Sequence, residues 1–231
     1  MAVSNELLLA KNYIKNSGLY LVPDYQFDEL AEIAVDAYSE YPLHLWFSNG
    51  EYDKSISRII MKTTLESMKE NALIYADSNK LKGFAVWMPP GFTGNKVIPF
   101  LKNGGFKLLY HNITLIKKLL SYENYAMNLK KTYTKHNDWY LYNITVLKKF
   151  QKKGIAGKLL TPMLEFCDKE NKIAYLETNN DKNVSLYEHF GFQLMNEGLV
   201  PNSSVSHYSM MRTPPPLQTK NKSLYDRKGL I

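Results

Sequence analysis

The sequence predicts a mixed α/β fold: a mostly antiparallel central sheet with one parallel crossover, flanked by helices. Three observations predict it. Helical spacing of apolar residues dominates the first seventy positions. Two short apolar runs on either side of Asp77-Ser78-Asn79-Lys80 then read as a hairpin. From residue 139 onward strand and helix patterns alternate before a closing strand pair, an order that requires one parallel strand–helix–strand crossover within an otherwise antiparallel sheet.

The elements follow in order. Residues 5–15 carry Leu7, Leu8 and Ile14 at helical spacing. Asp24 stands where it can cap a second helix from about residue 27 to 38, with Leu30, Ile33, Ala34 and Ala37 on one face. Residues 39–49 gather Tyr41, Pro42, His44, Trp46 and Phe47 as an aromatic-rich loop or a short helix. Helical spacing returns over 52–70 through Ile56, Ile59, Ile60 and Leu65. The hairpin strands are 72–76 and 81–88, the second stopped by Pro89-Pro90-Gly91. Residues 96–135 lack strand signals and read as two or three helices covering one side. A strand at 139–147, a helix at 155–171, a strand at 173–178 and a short helix at 183–189 lead to an antiparallel pair, 192–199 and 204–211. Pro214-Pro215-Pro216 ends the pattern, so residues 1–212 are expected as one domain. The basic stretch 213–231 is expected as a surface arm or a disordered tail.

Composition narrows the function classes. With 231 residues, 45% of them apolar, the chain can bury a substantial core. A single cysteine, Cys167, excludes a disulfide framework and a cysteine-cluster metal site, and fits a reducing, cytoplasmic setting. His189 and His207 lack ligand spacing, so no metal is expected. Leu7 to Ala10 is too short for a signal peptide, and no apolar stretch approaches the roughly 18 residues that span a bilayer. The net charge of +7 points to an anionic partner without choosing one. Only Arg58, Arg212 and Arg227 among the 29 basic residues are arginine, which argues against base-specific nucleic-acid readout. Most of the excess lies in residues 61–137, with 12 lysines against 4 acidic groups, where a solvated helical face accounts for it.

The segment that carries chemistry is Val146-Leu147-Lys148-Lys149-Phe150-Gln151-Lys152-Lys153-Gly154-Ile155-Ala156-Gly157-Lys158. A strand runs into a glycine-bearing turn, and a helix begins. The first amides of that helix have no intrahelical acceptor and lie at the positive end of its dipole, which suits a phosphate. Residues 148–158 bring five lysines and no acid. Neither the Walker pattern nor Gly-x-Gly-x-x-Gly is present, so nucleotide triphosphates and dinucleotides are disfavoured. From the residues alone, a solvated lysine cluster on a helix start stands beside a phosphate cradle.

Gln151-Lys152-Lys153-Gly154-Ile155-Ala156-Gly157 resembles the Gln/Arg-x-x-Gly-x-Gly/Ala signature of the GNAT acyl-CoA N-acyltransferases. Tyr175-Leu176-Glu177-Thr178, Asn183 and Leu186-Tyr187-Glu188-His189-Phe190-Gly191-Phe192 resemble the family's second signature. Phe84-Ala85-Val86-Trp87-Met88-Pro89-Pro90, with Pro162 downstream, is similar to the puromycin N-acetyltransferase-like branch. The likeness covers residues 72–212, and 24–71 more loosely. Lys148 departs from the family's usual Pro and Lys152 from a frequent Gly, in a loop that works mainly through its backbone.

The resemblance implies a GNAT fold in which the strands 139–147 and 173–178 splay to admit acetyl-CoA, and direct acetyl transfer to a primary amine of a small molecule in a ternary complex. It assigns the pyrophosphate to amides of Gln151, Lys152, Lys153, Gly154, Ile155, Ala156, Gly157 and Lys158. The pantetheine and the oxyanion fall to backbone groups of Ile144, Val146 and Leu147, and further cofactor contacts to Thr178, Asn183 and Tyr187. Tyr187 is also the acid for the departing thiolate. Glu177 is the leading base, with a structural carboxylate as its rival, and His44, Asp138 and His207 stand behind it. Tyr187 as a core tyrosine is the bland alternative, whereas Asn183 is expected both to cap its helix and to contact the pantetheine. Among Trp87, Tyr41, Trp46 and Phe47, one or two are expected to line an acceptor site walled by 39–50 and 92–135. Cys167, beside Met163, Leu164 and Phe166, is expected as an inert buried thiol. The rival functions are a catalytically silent acyl-CoA-binding module and a nucleic-acid binder. Oligomeric state is open.

Overall fold

The computed structural model describes residues 2–92, 97–108, 113–135 and 138–216. The helices are α1 (Ala2–Asn16), α2 (Phe27–Ala37), α3 (Pro42–Phe47), α4 (Lys54–Met68), α5 (Val97–Lys102), α6 (Ile113–Thr134), α7 (Ile155–Lys169) and α8 (Lys182–His189). The strands are β1 (Tyr20–Leu21), β2 (Leu73–Ala76), β3 (Gly83–Met88), β4 (Asp138–Val146), β5 (Ile173–Thr178), β6 (Gln193–Leu199) and β7 (Ser206–Arg212).

They form a seven-stranded sheet in the order β1-β2-β3-β4-β5-β7-β6. Every neighbouring pair is antiparallel except β4 and β5. That pair is parallel because α7 carries the chain back to the starting end of the sheet. The expected fold class is therefore found, with the parallel pair near the centre.

Two cores lie on opposite faces of the sheet. On one, Ala10 and Ile14 of α1 and Leu159, Leu160 and Met163 of α7 meet Ala85, Trp87 and Trp139. On the other, Phe27, Leu30 and Ala34 of α2 and Met61, Leu65 and Met68 of α4 meet Phe84, Val86 and Met88. The period-two alternation of β3 divides its side chains between them. A third cluster joins α3, α6 and the turn before β7 through Leu43, Phe47, Leu115, Val200 and Val205.

Two buried or partly buried ion pairs fix elements to this frame. Lys130 of α6 reaches Asp138 at the start of β4 at 2.9 Å, both side chains fully buried. Arg212 of β7 grips Asp168 of α7 with two bonds of 2.6 and 2.7 Å.

The structure corrects several details. Asp24 begins a short 3-10 turn and pairs with Lys69 at 3.3 Å, and α2 starts without a side-chain cap. Residues 42–47 are helical, with proline in the first turn, where its missing N–H costs nothing. The two-residue strand β1 escapes sequence reading because so short an edge has no periodicity. Residues 96 and 109–112 of the expected helical cover lie outside the described residues, as does 217–231 of the expected tail. Among the described residues, no helix is long and apolar enough to cross a membrane.

Candidate active site

β4 and β5 pair only from Asp138↔Ile173 to Leu141↔Leu176, whereas β4 continues against β3 as far as Val146. The strands therefore part at Tyr142. A cavity of about 460 Å³ opens there, with Tyr142, Asn143 and Ile144 on one side and Glu177 and Thr178 on the other. Tyr38, Tyr41, His44 and Phe47 close one wall, Ile60 and Thr64 of α4 a second, and Leu119, Tyr122 and Glu123 of α6 a third.

Glu177 is the main ionisable group. Its side chain is 3% exposed and accepts hydrogen bonds from the Tyr140 hydroxyl at 2.7 Å and the Tyr175 hydroxyl at 3.0 Å. Burial pushes its carboxyl up to about 7; the two tyrosine bonds oppose that, while repulsion from Glu123 adds to it. Beneath it, His207 Nε2 lies 4.0 Å from Oε1. The histidine's tautomer follows from its neighbours. Asn179 Nδ2 donates to the Ser206 carbonyl at 2.8 Å, which fixes that amide's orientation, and the same nitrogen faces His207 Nδ1 at 3.5 Å. Nδ1 is thus the acceptor and Nε2 carries the proton toward Ser209 Oγ and Glu177. Burial lowers His207 to about 4, so the ring is neutral.

Tyr187 faces the same cavity from α8. It is 5% exposed, and no hydrogen bond to its hydroxyl occurs among the described residues. Burial, then the neighbouring Tyr41 and Tyr38, raise its pKa far above the ordinary phenol value, which keeps the proton on oxygen. Tyr38 closes a ring of bonds: Asn143 Nδ2 donates to its hydroxyl, it donates to Thr145 Oγ1 at 2.8 Å, and Thr145 donates to Asn143 Oδ1 at 2.8 Å. This ring holds the opened end of β4 against α2.

The free edge of β4 can be read from its pairing. The Leu147 amide donates to the Lys82 carbonyl at 3.0 Å, so Leu147 is engaged toward β3. Antiparallel alternation turns the backbone groups of Val146 and Ile144 to the opposite, unpaired side. There the Val146 carbonyl accepts the Gln151 side chain at 3.0 Å.

Gly154 precedes α7 at φ +78, and a Cβ there would meet nothing within 4 Å. The amides of Ile155, Ala156 and Gly157 have no acceptor among the described residues; the first helical bond is Lys158 N–H to Gly154 O at 3.0 Å. Lys152 sits in the left-handed region at φ 58, which explains why glycine is frequent at this position in the signature. Gly157 serves packing: a Cβ would approach the Phe190 ring to 3.3 Å. The lysines divide. Lys148 pairs with Glu40 at 2.5 Å, and Lys158 Nζ donates to the Asp77 carbonyl at 2.8 Å. Lys149 and Lys153 flank the Phe150 ring at 5.2 and 5.6 Å. Lys152 is exposed.

Residues 23–192 match the model of the Acetyltransferase (GNAT) family. The chain belongs to this family. It is an N-acetyltransferase, an acyltransferase enzyme. An uncharacterized N-acetyltransferase of Schizosaccharomyces pombe is 25% identical over 173 residues, covering 72% of this chain and 70% of the relative. Two solved structures share the fold. One is a histone acetyltransferase HPA2 and related acetyltransferase from Corynebacterium glutamicum, with TM-score 0.58 and 14% identity, covering 85% of this chain and 96% of that one. The other is a Drosophila melanogaster polyamine N-acetyltransferase, with TM-score 0.56 and 10% identity, covering 84% and 98%.

The GNAT family uses acetyl-CoA, and the chain carries features that fit it: an unpaired strand edge, a helix start with three unpaired amides, and open space above Gly154. In this GNAT enzyme Asn183 is not a helix cap. Asp181 takes that role, accepting from the Lys182 amide at 2.8 Å, and Asn183 Nδ2 donates instead to Thr178 Oγ1 at 3.1 Å. Thr178 also meets the Tyr41 hydroxyl at 3.2 Å, so these three residues form the floor where the strands part. Asp138 is removed as a base by its ion pair with Lys130. His44, lowered to about 4 by burial, is bonded to Ser57 at 2.9 Å. Trp87 is fully buried in the core, donating to the Tyr75 hydroxyl at 2.9 Å, whereas Tyr41 and Phe47 do line the cavity. Cys167 is fully buried in the core, its pKa raised by burial. Tyr140, Tyr175 and Glu123 were not singled out from sequence. The only trace was Tyr175 two residues before Glu177 on one strand face. Among the described residues, no three metal-ligating side chains gather.

Proposed function

We propose that this GNAT enzyme transfers an acetyl group from acetyl-CoA to the primary amine of a small molecule, by direct attack in a ternary complex. The observation that carries the proposal is the pair facing one cavity where β4 leaves β5: a buried carboxylate, Glu177, that titrates near neutrality, and a phenol, Tyr187, that holds its proton. Bound acetyl-CoA would supply an acyl group activated as a thioester. The α7 amides from Ile155 to Gly157, with the loop from Gln151 to Gly154, would hold the pyrophosphate. The outward backbone groups of Ile144 and Val146 would hold the pantetheine and the oxyanion. Thr178 and Asn183 support the same edge.

Glu177 takes a proton from the entering ammonium at its carboxylate oxygen, and the Tyr140 and Tyr175 hydroxyls keep that oxygen oriented. Tyr187 donates its hydroxyl hydrogen toward the leaving sulfur. We infer further that residues 1–212 work as one domain, since α1 and α7 on one face and α2 and α4 on the other pack on the continuous sheet. The segment 84–90, β3 with the two prolines that follow it, supports the puromycin N-acetyltransferase-like branch. Its Trp87 is a core residue, so that likeness says nothing of the acceptor.

The test is thiol release from acetyl-CoA with an amine panel, comparing wild type with Tyr187→Phe and Glu177→Gln. Each substitution is expected to lower kcat by 10²- to 10⁴-fold, roughly the contribution of a positioned acid or base, with CoA binding retained. Wild-type rate in Tyr187→Phe removes its role as acid. Intact CoA binding without turnover of any amine favours a silent acyl-CoA-binding module.

A further inference from the structure

Beneath Glu177 a run of polar side chains crosses from β5 to β7, and its donors point one way. The register sets Glu177 opposite Ser209, so Tyr175, Glu177, His207 and Ser209 share one face of the sheet. His207 is fully buried. Tyr122 and Tyr125 of α6 meet its ring edge-on, at 6.0 and 5.0 Å between centroids. The Tyr122 hydroxyl donates to Asn179 Oδ1 at 3.1 Å, and Asn179 Nδ2 faces His207 Nδ1 at 3.5 Å. His207 Nε2 therefore carries its hydrogen on the side of Ser209 Oγ, at 3.3 Å, and Glu177 Oε1, at 4.0 Å. Ser209 acts on the Tyr175 hydroxyl as a donor, and Tyr175 donates to Glu177 Oε1 at 3.0 Å. The other ionisable groups acting on Glu177, or acted on by it, come from three directions. They are Tyr140 and Tyr142 of β4, Tyr41 before α3, and Tyr122, Glu123, Tyr125 and Lys130 of α6.

Taking Glu177 as the base of the proposed transfer, we propose that His207 is its positioning residue. The neutral ring directs its Nε2 hydrogen at Ser209 Oγ and Glu177 Oε1, and so orients and stabilises the ionised carboxylate without itself gaining or losing a proton. Two effects act in the same sense. The N–H dipole lies close to the carboxylate in a low-dielectric interior, where it counts for more than in water. The donor run from His207 through Ser209 and Tyr175 is polarised toward Glu177, which strengthens its last bond. Asn179 fixes the tautomer, because a ring nitrogen that accepts leaves the hydrogen on the other. The reverse tautomer would aim a lone pair at the carboxylate. Asn179 also takes the Tyr122 hydroxyl, and its amide donates to the Tyr41 hydroxyl at 2.9 Å. Both tyrosines line the cavity, so the same contacts tie the base to the wall the acceptor touches.

The test compares His207→Leu, which removes the ring hydrogen, with His207→Gln, whose amide nitrogen reaches about as far as Nε2 and returns a donor. Two readouts are followed against pH: kcat/KM for acetylation of an amine that the wild type turns over, and the carbon NMR shift of the Glu177 carboxyl. In His207→Leu both midpoints should move up by at least about 0.5 pH unit, so that kcat/KM falls about threefold or more at pH 6 and recovers to within about twofold of wild type at pH 8.5. His207→Gln should return both midpoints toward wild type. A merely structural role lowers the rate alike at every pH; that result, an unmoved carboxyl midpoint, or a glutamine variant no better than leucine overturns the proposal. Nitrogen NMR of the wild type should show a neutral His207 with its hydrogen on Nε2 from pH 5.5 to 8.5, and a hydrogen on Nδ1 or a ring that titrates in that range also overturns it. If His207→Leu does not fold, Ser209→Ala should move both midpoints in the same upward direction, and no movement there counts against the role. A pH rise in kcat/KM that survives Glu177→Gln sinks the base assignment instead, while the carboxyl midpoint still decides what His207 does to Glu177.

Discussion

At the scale of single residues, Glu177 shows how environment makes a common side chain useful. An exposed glutamate is ionised at pH 7 and too weak a base for an ammonium; burial brings this one to about 7, where it is half-ionised and a stronger base. The free enzyme's kcat/KM is therefore expected to rise with pH through about 7 and flatten above it, a rise that Glu177→Gln abolishes. The same shift has a stability consequence. The folded pKa lies above the unfolded one, so the native state binds the extra proton between about 4.5 and 7 and loses stability as pH rises through that window. At roughly 1.4 kcal/mol per pH unit the ionised carboxylate costs up to about 3 kcal/mol above pH 7. Glu177→Gln should thus be more stable than wild type in urea at pH 8.5, with the gain smaller by about 2 kcal/mol at pH 5.5, where the native wild-type carboxyl is protonated. A gain that is the same at both pH values means that Glu177 is not the titrating group. Gly154 offers a second residue-scale check. Since a Cβ there meets no protein atom, Gly154→Ala should cost only about 1 kcal/mol of stability from its left-handed backbone, yet weaken CoA binding tenfold or more by filling the cradle. Unchanged CoA affinity would place the phosphates elsewhere.

At the scale of elements, the acceptor wall depends on how α6 is held. Its hydrophobic stripe is weak: Leu115 and Ala126 are its buried apolar residues. The fully buried pair Lys130–Asp138 carries the anchoring instead, tying the end of α6 to the first residue of β4. Removing one partner leaves the other charge buried alone, so Lys130→Met is expected to destabilise the fold by about 3–5 kcal/mol in chemical denaturation. The double change Lys130→Met with Asp138→Leu should recover most of the loss. If the single and double variants match, the pair is not the anchor. This region also marks where sequence reading thinned. Strands β2 to β5 and helix α7 were legible because apolar periodicity, the 77–80 turn and the Gly154 helix start are local signals. The pairing of Lys130 with Asp138, and of Tyr140 with Glu177 across two strands, arises from register. Residues 37 positions apart in sequence meet there at 2.7 Å with nothing in either segment to announce it. The motif around Glu177 and Tyr187 pointed to the site, but the tyrosines, histidine and second carboxylate that set its chemistry are products of packing.

At the scale of the whole molecule, the net charge of +7 was compatible with a polyanion, a membrane surface or a phosphate-bearing ligand. The structure redistributes that charge. Lys148 is paired with Glu40 and Lys158 is turned to the Asp77 carbonyl, so the five lysines of 148–158 do not act as a unit. What remains directed outward at the start of α7 is backbone, three unpaired amides and the helix dipole, beside the exposed Lys149, Lys152 and Lys153. Such a site binds one compact anion of matched shape and offers little to a long polyanion, whose affinity grows with the number of phosphates neutralised. Ligand-linked melting separates the two. Acetyl-CoA at a hundred times its Kd should add about 2.7 kcal/mol to native stability, a rise of roughly 5–10 °C in Tm for a chain of this size. Because the contacts are mainly fixed amides rather than mobile surface lysines, most of that rise should persist at 300 mM salt. Duplex DNA at the same phosphate concentration should raise Tm by less than a degree at 150 mM salt. A larger shift with DNA than with acetyl-CoA would return the charge to the nucleic-acid reading and leave the α7 amides without a ligand.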